Sequence, residues 1–518
     1  MSRSTSSPGS PSGSDPSDRV FVSAFDAAQA SGKVARGGAL MIAANLLGFV
    51  VTLTSTAILA RLLTPEAFGL IAMTATLTAL LMMFSDAGLT QATIQRREIT
   101  YGQLTALFWI NLAVGAGLAV ACFAAAPFLA WFYGEPGLTD VVRVLSVNFL
   151  LLGATAQFSA VINRQLRFKV TALVQLLAPI AGAAAALVFA WLDFGVWALV
   201  AQLVVTEIVR LGASVSLAHW FPGLPRRAKG VGQMLRFGGN QLLFNVVVYL
   251  VPNADRIFIG SYLNPHVLGL YDRSAQMIRL PQRLLIMPLT PVMLPTLSRL
   301  HDQPDAYRNV YVGAMSKLTM ASFPLTIAIA LLAPEIVSIL LGAQWEEAVP
   351  IFAVLAISTL TAPISRANTW LWISQGRMRT QLCWGLLITS TTVPAYFVGV
   401  SWGAVGVAAG AAVAQLSMHP IAIWMATRVG PVSWRDIVGS FVPGIVGAIG
   451  MSAVILAIRA TGLLPANPFL SAMILGLGGG IGLVAIYSLL PSARRPLFEM
   501  LATLGQWTGL AKPAVPSS

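Results

Sequence analysis

Residues 170–220 read VTALVQLLAPIAGAAAALVFAWLDFGVWALVAQLVVTEIVRLGASVSLAHW and contain two long apolar runs that meet at Asp193. An α-helix needs about 20 apolar residues to cross the hydrocarbon core of a bilayer, and each run supplies them. Two such runs with a very short break between them are typical of a tight hairpin of membrane-spanning helices. This stretch predicts an all-α membrane fold, and the rest of the chain repeats its pattern.

The composition of the whole chain supports this interpretation. Hydrophobic residues make up 56% of the 518 residues, charged residues make up 10%, and the mean hydropathy is +0.77. Soluble domains carry about 25% charged residues, so a soluble enzyme is excluded. A β-barrel is also excluded, because barrel strands are short segments of alternating hydrophobicity and not apolar runs of about 20 residues.

We predict an all-α polytopic membrane protein with about fourteen spans. The predicted spans are 37–60, 67–89, 104–132, 140–162, 170–192, 194–220, 237–259, 266–296, 318–341, 350–374, 381–400, 403–427, 438–458 and 468–490.

The basic residues orient these spans in the membrane. With a cytoplasmic N-terminus, 23 of the 32 Lys and Arg residues fall in cytoplasmic segments, and only Arg61 and Arg459 fall in the opposite loops. Lys and Arg are enriched in cytoplasmic loops of membrane proteins, which also explains the net charge of +13 without nucleic acid. We therefore expect an even number of spans with both termini cytoplasmic, and loops too short for an extramembrane catalytic domain.

An internal repeat divides the chain. Residues 63–70 and 263–270, related by a shift of 200, share Leu, Pro, Gly and Leu at equivalent positions. A shift that covers six helices predicts two six-helix lobes with the same orientation, a parallel repeat typical of transporters. The last two spans are additional.

The predicted organisation follows from the repeat and the composition of the termini. It consists of a disordered cytoplasmic tail at 1–34, an N-terminal lobe at 35–225, a C-terminal lobe at 226–430, two additional helices at 431–492, and a cytoplasmic tail at 493–518.

Metal and redox chemistry are not predicted. The two cysteines, Cys122 and Cys383, lie in apolar runs, and the four histidines form no HExxH motif. We expect no cofactor, no metal ion and no catalytic residues.

Polar side chains at membrane depth are the candidate functional residues, because each charge there costs about 2.5–3.5 kcal/mol on insertion scales. In the eighth span, Asp272, Gln276, Arg279 and Arg283 lie within about 60° of one another on a helical projection. A stripe with two arginines cannot face lipid tails. It either lines a polar cavity or pairs with charges on a neighbouring helix, and both interpretations stay open.

Other intramembrane charges also have two interpretations. Glu207 and Arg210 are three residues apart and either pair locally or line the cavity. Asp255 and Arg256 lie near the outer end of the seventh span, where long side chains can reach the membrane surface.

Arg366 and Asp86 complete the set of candidates. Arg366 lies inside the tenth span with no acidic neighbour in sequence, whereas Asp86 lies where it could cap the turn at Gly88. Arginines outnumber acids among the candidates, which predicts a cationic cavity for an anionic amphiphile. The predicted substrate-binding residues are Arg279, Arg283, Arg366, Arg256, Arg210 and Gln276. The predicted ion- or proton-coupling residues are Asp86, Glu207, Asp255 and Asp272.

Three stretches carry a family resemblance. Residues 252–300 resemble the seventh and eighth helices of Wzx-type polysaccharide flippases, and residues 58–73 and 84–96 resemble parts of their first two helices. The 252–300 stretch is similar to the colanic-acid-exporter-like branch of the MOP superfamily. The resemblance implies translocation of an undecaprenyl-diphosphate-linked oligosaccharide across the bacterial inner membrane by alternating access. It also implies a polysaccharide polymerase and a chain-length regulator as partners.

Two alternatives stay open. Another exporter of the MOP superfamily would move drugs or a lipid II-type precursor, although a cationic-drug exporter should have an acidic cavity. A membrane polysaccharide polymerase or ligase would need a larger outer loop than this chain has.

Overall fold

The structure is a computed structural model that describes residues 20–22, 27–86, 90, 93, 98–225, 254–286, 289–491, 493 and 494. Nearly all of these residues lie in α-helices. The chain divides into two compact units, residues 1–253 and 254–518.

The first unit contains six long helices and a pair of short strands. The helices are α1 (Ala27–Leu62), α2 (Pro65–Asp86), α3 (Tyr101–Tyr133), α4 (Leu138–Arg164), α5 (Phe168–Trp191) and α6 (Val196–Ala218), and the strands are β1 (Val20–Val22) and β2 (Glu98–Thr100).

The strands pair antiparallel, with Val20 opposite Thr100 and Val22 opposite Glu98. Together with the first turns of α1, they occupy part of the tail at 1–34 that the composition predicts to be disordered. Pairing with β2 satisfies backbone groups that composition alone could not have assigned to a partner. Residues 1–19 and 23–26 lie outside the described part of the chain.

The hairpin predicted at Asp193 is confirmed. Helix α5 ends at Trp191 and α6 begins at Val196, and the connection reverses direction with positive φ angles of 58° at Asp193 and 55° at Gly195. Left-handed backbone costs little at glycine and is tolerated by Asp, so the chain turns within four residues.

Glycines set the distance between neighbouring helices in this unit. A Cβ on Gly115 of α3 would lie 2.6 Å from the carbonyl oxygen of Phe149 on α4, and one on Gly153 would lie 2.5 Å from that of Asn111. Small residues allow this close approach, which is the main source of van der Waals contact between helices in a membrane.

The second unit contains twelve helical segments among its described residues. They are α7 (Ala254–Tyr262), α8 (Pro265–Ile286), α9 (Thr290–Arg299), α10 (Pro304–Leu331), α11 (Ala333–Leu340), α12 (Ala348–Ser358), α13 (Ala362–Ser374), α14 (Met378–Gly399), α15 (Gly403–Thr427), α16 (Trp434–Gly439), α17 (Val442–Ala460) and α18 (Pro468–Leu489), with single 3₁₀ turns at Ala343–Trp345, Thr359–Thr361 and Val400–Trp402.

The predicted span at 266–296 corresponds to α8 and α9, and residues 287 and 288 between them lie outside the described part. Two further predicted spans, described throughout, are interrupted in this unit. The span at 318–341 consists of α10 and α11, which meet at Leu332, and the span at 350–374 consists of α12 and α13 around a 3₁₀ turn. Pro334 and Pro363 stand at the starts of α11 and α13. Proline has no N–H to donate to the preceding turn, so a helix begins there more easily than it continues.

Ten stretches of the described chain are long and apolar enough to cross a membrane, and the stretch Met378–Thr427 comprises both α14 and α15. This confirms a polytopic all-helical membrane protein. The count of fourteen, the six-helix repeat and the domain boundaries stay predictions, since most of the seventh predicted span lies at 237–253, outside the described residues.

The last two helices are attached to the rest of the second unit. A Cβ on Gly444 of α17 would lie 2.7 Å from the carbonyl oxygen of Thr319 on α10. On α18, the buried Tyr487 hydroxyl donates a hydrogen bond of 2.8 Å to the Met320 carbonyl of α10. These contacts place α17 and α18 directly on α10.

A matched pair of substitutions on α3 tests the glycine contact. Gly115→Ala should lower the free energy of unfolding by about 1–3 kcal/mol, because the new methyl group overlaps the Phe149 carbonyl. Gly117→Ala on the same helix meets open space and should change it by less than about 1 kcal/mol. Unfolding in detergent with increasing SDS measures both, and equal stability of the two variants would contradict the close approach.

Candidate functional site

Two consecutive helices of the second unit carry most of the predicted site. Helix α7 ends at Tyr262 and α8 begins at Pro265, and the Asn264 side chain accepts a hydrogen bond of 2.9 Å from the Val267 N–H in the turn between them. On its other side, α7 packs against α14, where the ring of Phe258 contacts that of Tyr396 at 6.4 Å between centroids. These contacts fix the faces that α7 and α8 present to each other.

Asp272 is the most heavily compensated acid at this junction. Its side chain is 3% exposed, and its carboxylate lies 2.7 Å from the Arg256 guanidinium and 3.2 Å from that of Arg273. The Gln276 amide donates a third contact of 2.7 Å. Two cations and an amide thus surround one buried carboxylate, which is the arrangement that makes a buried charge tolerable.

Asp255 is equally buried but has only neutral donors in direct contact. Its Oδ1 accepts a hydrogen bond of 2.9 Å from the Arg256 backbone N–H, and its Oδ2 accepts one of 2.9 Å from the Tyr271 hydroxyl. Within the described part of the chain, no cationic side chain lies within ion-pairing distance of this carboxylate.

Arg279 supplies a positive charge at longer range. Its charge acts on Asp255, less strongly than the charge of Arg256 does, and also on the hydroxyls of Tyr271 and Tyr396. It makes no ion pair or hydrogen bond with a described residue. We call Asp255, Arg256, Asp272, Arg273 and Arg279 the charged cluster. Three arginines and two carboxylates leave it one positive charge in excess.

The structure separates the interpretations that the sequence left open for this region. Asp272 pairs with Arg256 on the neighbouring helix, so ion pairing accounts for part of the polar stripe. The membrane-surface interpretation of Asp255 and Arg256 is wrong, because Asp255 is buried, the Arg256 side chain is only 11% exposed, and both make contacts between α7 and α8. Gln276 is exposed and Arg279 is half-buried. The side chain of Arg283 lies outside what the structure describes.

The remaining predicted residues are not all part of this cluster. Arg366 on α13 is exposed and contacts no described residue through an ion pair or hydrogen bond. Arg210 lies in the first unit and pairs with Glu207 of the same helix at 3.0 Å, the local pair that the sequence left as one alternative. The side chain of Asp86 lies outside the described part.

Three polar contacts were missed by reasoning from sequence. Glu335 on α11 is buried and accepts a contact of 2.5 Å from Arg459 on α17 and one of 3.5 Å from the Ser471 hydroxyl on α18. An acid inside the predicted ninth span was the signal for this contact, but Arg459 was assigned to an outer loop.

Arg164, assigned to a cytoplasmic loop, is also buried. Its guanidinium donates a hydrogen bond of 2.8 Å to the Thr93 carbonyl, and the Gln157 amide donates one of 3.2 Å to the Thr93 hydroxyl. Gln157 and Arg164 are seven residues apart and share a face of α4, which was the available signal.

A third polar contact links α13 and α15. His419 is buried, with one ring nitrogen 2.6 Å from the Gln415 carbonyl and the other 3.1 Å from the Ser365 hydroxyl. No group of three or more His, Cys, Asp or Glu side chains that could hold a metal ion occurs among the described residues.

The compensation of Asp272 can be tested by a double substitution. Asp272→Ala leaves two arginines, whose side chains are only 11% and 13% exposed, without their carboxylate. It should destabilise the protein by about 3–5 kcal/mol, seen as loss of membrane abundance. Adding Arg256→Ala should restore part of that abundance. Asp140→Ala is the control, because the Asp140 carboxylate is 72% exposed and lies 4.0 Å from Arg143. No loss for Asp272→Ala, or no recovery in the double variant, would contradict the pairing.

The sequence belongs to a recognisable group of proteins. The profile of the family described as "Polysaccharide biosynthesis protein" matches residues 58–350, more than half of the chain. The lipopolysaccharide biosynthesis protein WzxC of Escherichia coli (strain K12) is 24% identical over 366 residues, which cover 69% of this chain and 74% of WzxC. The succinoglycan biosynthesis transport protein ExoT of Rhizobium meliloti (strain 1021) is 26% identical over 351 residues, which cover 67% and 70%.

The fold is similar to that of a solved transporter. The lipid II flippase MurJ, in an inward closed conformation, aligns with a TM-score of 0.68 over 87% of this chain and 98% of MurJ, at 12% identity. The predicted resemblance to Wzx-type proteins is confirmed by these matches. The chain belongs to the polysaccharide biosynthesis protein family.

Proposed function

We propose that this protein is a flippase that moves an undecaprenyl-diphosphate-linked oligosaccharide from the cytoplasmic to the periplasmic leaflet of a bacterial inner membrane, for surface polysaccharide export. The observation that carries the proposal is the charged cluster of the second unit. It places three arginines and two carboxylates on helices of a membrane transporter and leaves Arg279 without a direct partner among the described residues.

An excess arginine suits a diphosphate head group. The guanidinium keeps its charge at membrane depth and offers two parallel N–H donors to phosphate oxygens. Arg366, exposed on α13 and without a described partner, would be a second contact if that face of the helix lines a polar cavity. A polyprenyl tail could stay in the lipid while the head group crosses, so the cavity need accept only the polar part.

Alternating access between the two lobes is the proposed mechanism. The division into two compact units supports it, since each unit could move as one body. We place both termini in the cytoplasm on the distribution of basic residues. A polysaccharide polymerase and a chain-length regulator are the proposed partners.

The alternatives are less well supported. A cationic-drug exporter would need an excess of acid, whereas the charged cluster has an excess of arginine. For another lipid-linked precursor, the fold likeness to the lipid II flippase MurJ is the supporting observation. A polymerase or ligase is not supported, because the outer connections predicted at 260–265 and 342–349 are too short for a catalytic domain.

Deleting the gene tests the direction and stage of transport. Polyprenyl-linked repeat units should accumulate with their sugars facing the cytoplasm, because only the flipping step is lost. In spheroplasts of the deletion strain, a lectin for the repeat unit should bind only after permeabilisation. Restoring the gene on a plasmid should restore binding in intact spheroplasts. Lectin binding to intact deletion spheroplasts would contradict the proposal.

Substitution of arginines tests the site. Arg279→Ala, Arg283→Ala and Arg366→Ala should each lower export per protein molecule, since loss of one charge-assisted contact costs about 1.5–3 kcal/mol, or roughly 10- to 100-fold in affinity. Lysine keeps the charge but loses the paired donors, so each Arg→Lys variant should be intermediate. The measurement is exported polymer divided by membrane abundance.

Arg379→Ala provides the matched control, because Arg379 is exposed near the start of α14, in a predicted cytoplasmic segment. It should export normally. If the three site variants export as well as this control per molecule, or fail only through lower abundance, the arginines are structural and the assigned site is wrong.

A further inference from the structure

Helix α13, which carries Arg366, is separated from the helix before it by a break. Helix α12 ends at Ser358, a 3₁₀ turn follows at Thr359–Thr361, and Pro363 stands in the first turn of α13. Because proline cannot donate a backbone hydrogen bond to the preceding turn, the ladder that would tie the rotation of α13 to that of α12 is interrupted. Side-chain contacts of α13 therefore decide the direction in which Arg366 points.

One face of α13 is polar and turned inward. Ser365 and Asn368 lie about 60° apart on a helical projection, whereas Arg366 lies about 100° from Ser365 and about 160° from Asn368. Asn368 is buried and Ser365 is half-buried, while Arg366 is exposed. The inward polar face and Arg366 thus lie on different sides of the same helix.

Helix α15 holds this inward face through His419. The Nδ1 atom of the buried ring lies 2.6 Å from the Gln415 carbonyl oxygen, and Nε2 lies 3.1 Å from the Ser365 hydroxyl. A carbonyl oxygen only accepts, so Nδ1 carries the hydrogen, and Nε2 of the neutral ring accepts from Ser365. The Gln415 side chain also accepts a hydrogen bond of 3.2 Å from the Thr361 hydroxyl at the break.

Helix α10 holds the same face further along α13. The Tyr311 hydroxyl donates a hydrogen bond of 3.4 Å to the Asn368 side chain, and the hydroxyls of Tyr307 and Ser374 lie 2.7 Å apart. Both tyrosines are buried, so these contacts are shielded from water. The rotation of α13 is therefore set by α10 and α15.

The rotation of α13 in turn sets the direction of Arg366. Its side chain is exposed and makes no ion pair or hydrogen bond with a described residue, so no partner of its own orients it. Helix α8, which carries Arg279, contacts α13 directly. Arg366 and the charged cluster thus lie on neighbouring helices.

We propose that His419 is a positioning residue for Arg366. Its hydrogen bond to Ser365, one residue before Arg366, holds α13 in the rotation that turns Arg366 toward the anionic head group. His419 itself is buried behind α13 and does not touch the substrate. This inference rests on the proposed function, because it assigns a head-group contact to Arg366.

Thiol labelling at position 366 tests the positioning without any substrate. Arg366→Cys is combined with Cys122→Ser and Cys383→Ser, and the full-length protein in nanodiscs is labelled with a membrane-impermeant maleimide. Adding His419→Leu or Ser365→Ala should lower the labelling rate, by about 2- to 10-fold for loss of one neutral hydrogen bond. His419→Gln keeps an acceptor near Ser365 and should restore part of the rate.

Export per protein molecule tests the link to transport. Ser365→Ala should lower exported polymer, divided by membrane abundance, by about 2- to 10-fold. In the Arg366→Ala background it should have no further effect, because the residue that it positions is gone. Ser417→Ala is the matched control, since the Ser417 hydroxyl bonds only to the Ala414 carbonyl of its own helix among the described residues, and it should export normally.

The outcomes separate this inference from the proposed function. If Ser365→Ala and His419→Leu leave the labelling rate at position 366 unchanged, the positioning is wrong while the proposed function stands. If Ser365→Ala lowers export equally with and without Arg366, its role is structural and the positioning is again wrong. If His419→Leu does not fold, Ser365→Ala decides both measurements. Normal export by Arg366→Ala overturns the head-group contact and this inference with it, and leaves the transport direction to the gene deletion.

Discussion

The cost of placing charge in a low-dielectric interior is the constraint on which the second unit depends. The charge of Asp272 is compensated by Arg256 from α7 and by Arg273 and Gln276 from its own helix. A buried pair of this kind adds little net stability, because desolvation offsets the attraction. Its effect is instead to fix which faces of α7 and α8 meet, since any other register would strand a charge. The position of Arg279 follows from that register.

The presence of membrane-spanning helices and their approximate bounds could be predicted from sequence, because both depend on local patterns. The hairpin at Asp193 and the helix at 403–427 match the structure closely, as an apolar run and its polar boundary are properties of consecutive residues. The breaks at Leu332 and at Thr359–Thr361 were not predicted. Apolar residues continue through both, and hydropathy does not register a missing backbone donor at proline.

The candidate site was predictable in its residues but not in its contacts. Asp255, Arg256, Asp272 and Arg279 stood out because charges are rare in the spans. Their pairing depends on how the chain reverses at Asn264 and brings α7 against α8. A helical projection of one helix contains no information on contacts between two helices. Arg164 shows the same limit. It was placed in a cytoplasmic loop only because basic residues are enriched in such loops, whereas in the structure it is buried against Thr93.

The attachment of α18 has a mechanical consequence. Near its start, Ser471 contacts the Glu335 carboxylate that also holds Arg459 of α17; near its end, Tyr487 is bonded to the Met320 carbonyl of α10. These two contacts lie about four helical turns apart, so α18 cannot rotate about one of them without breaking the other. The last two helices therefore cannot swing outward as a separate gate. They must move together with α10 and α11, so the lipid-facing surface of α17 and α18 moves whenever those two helices move.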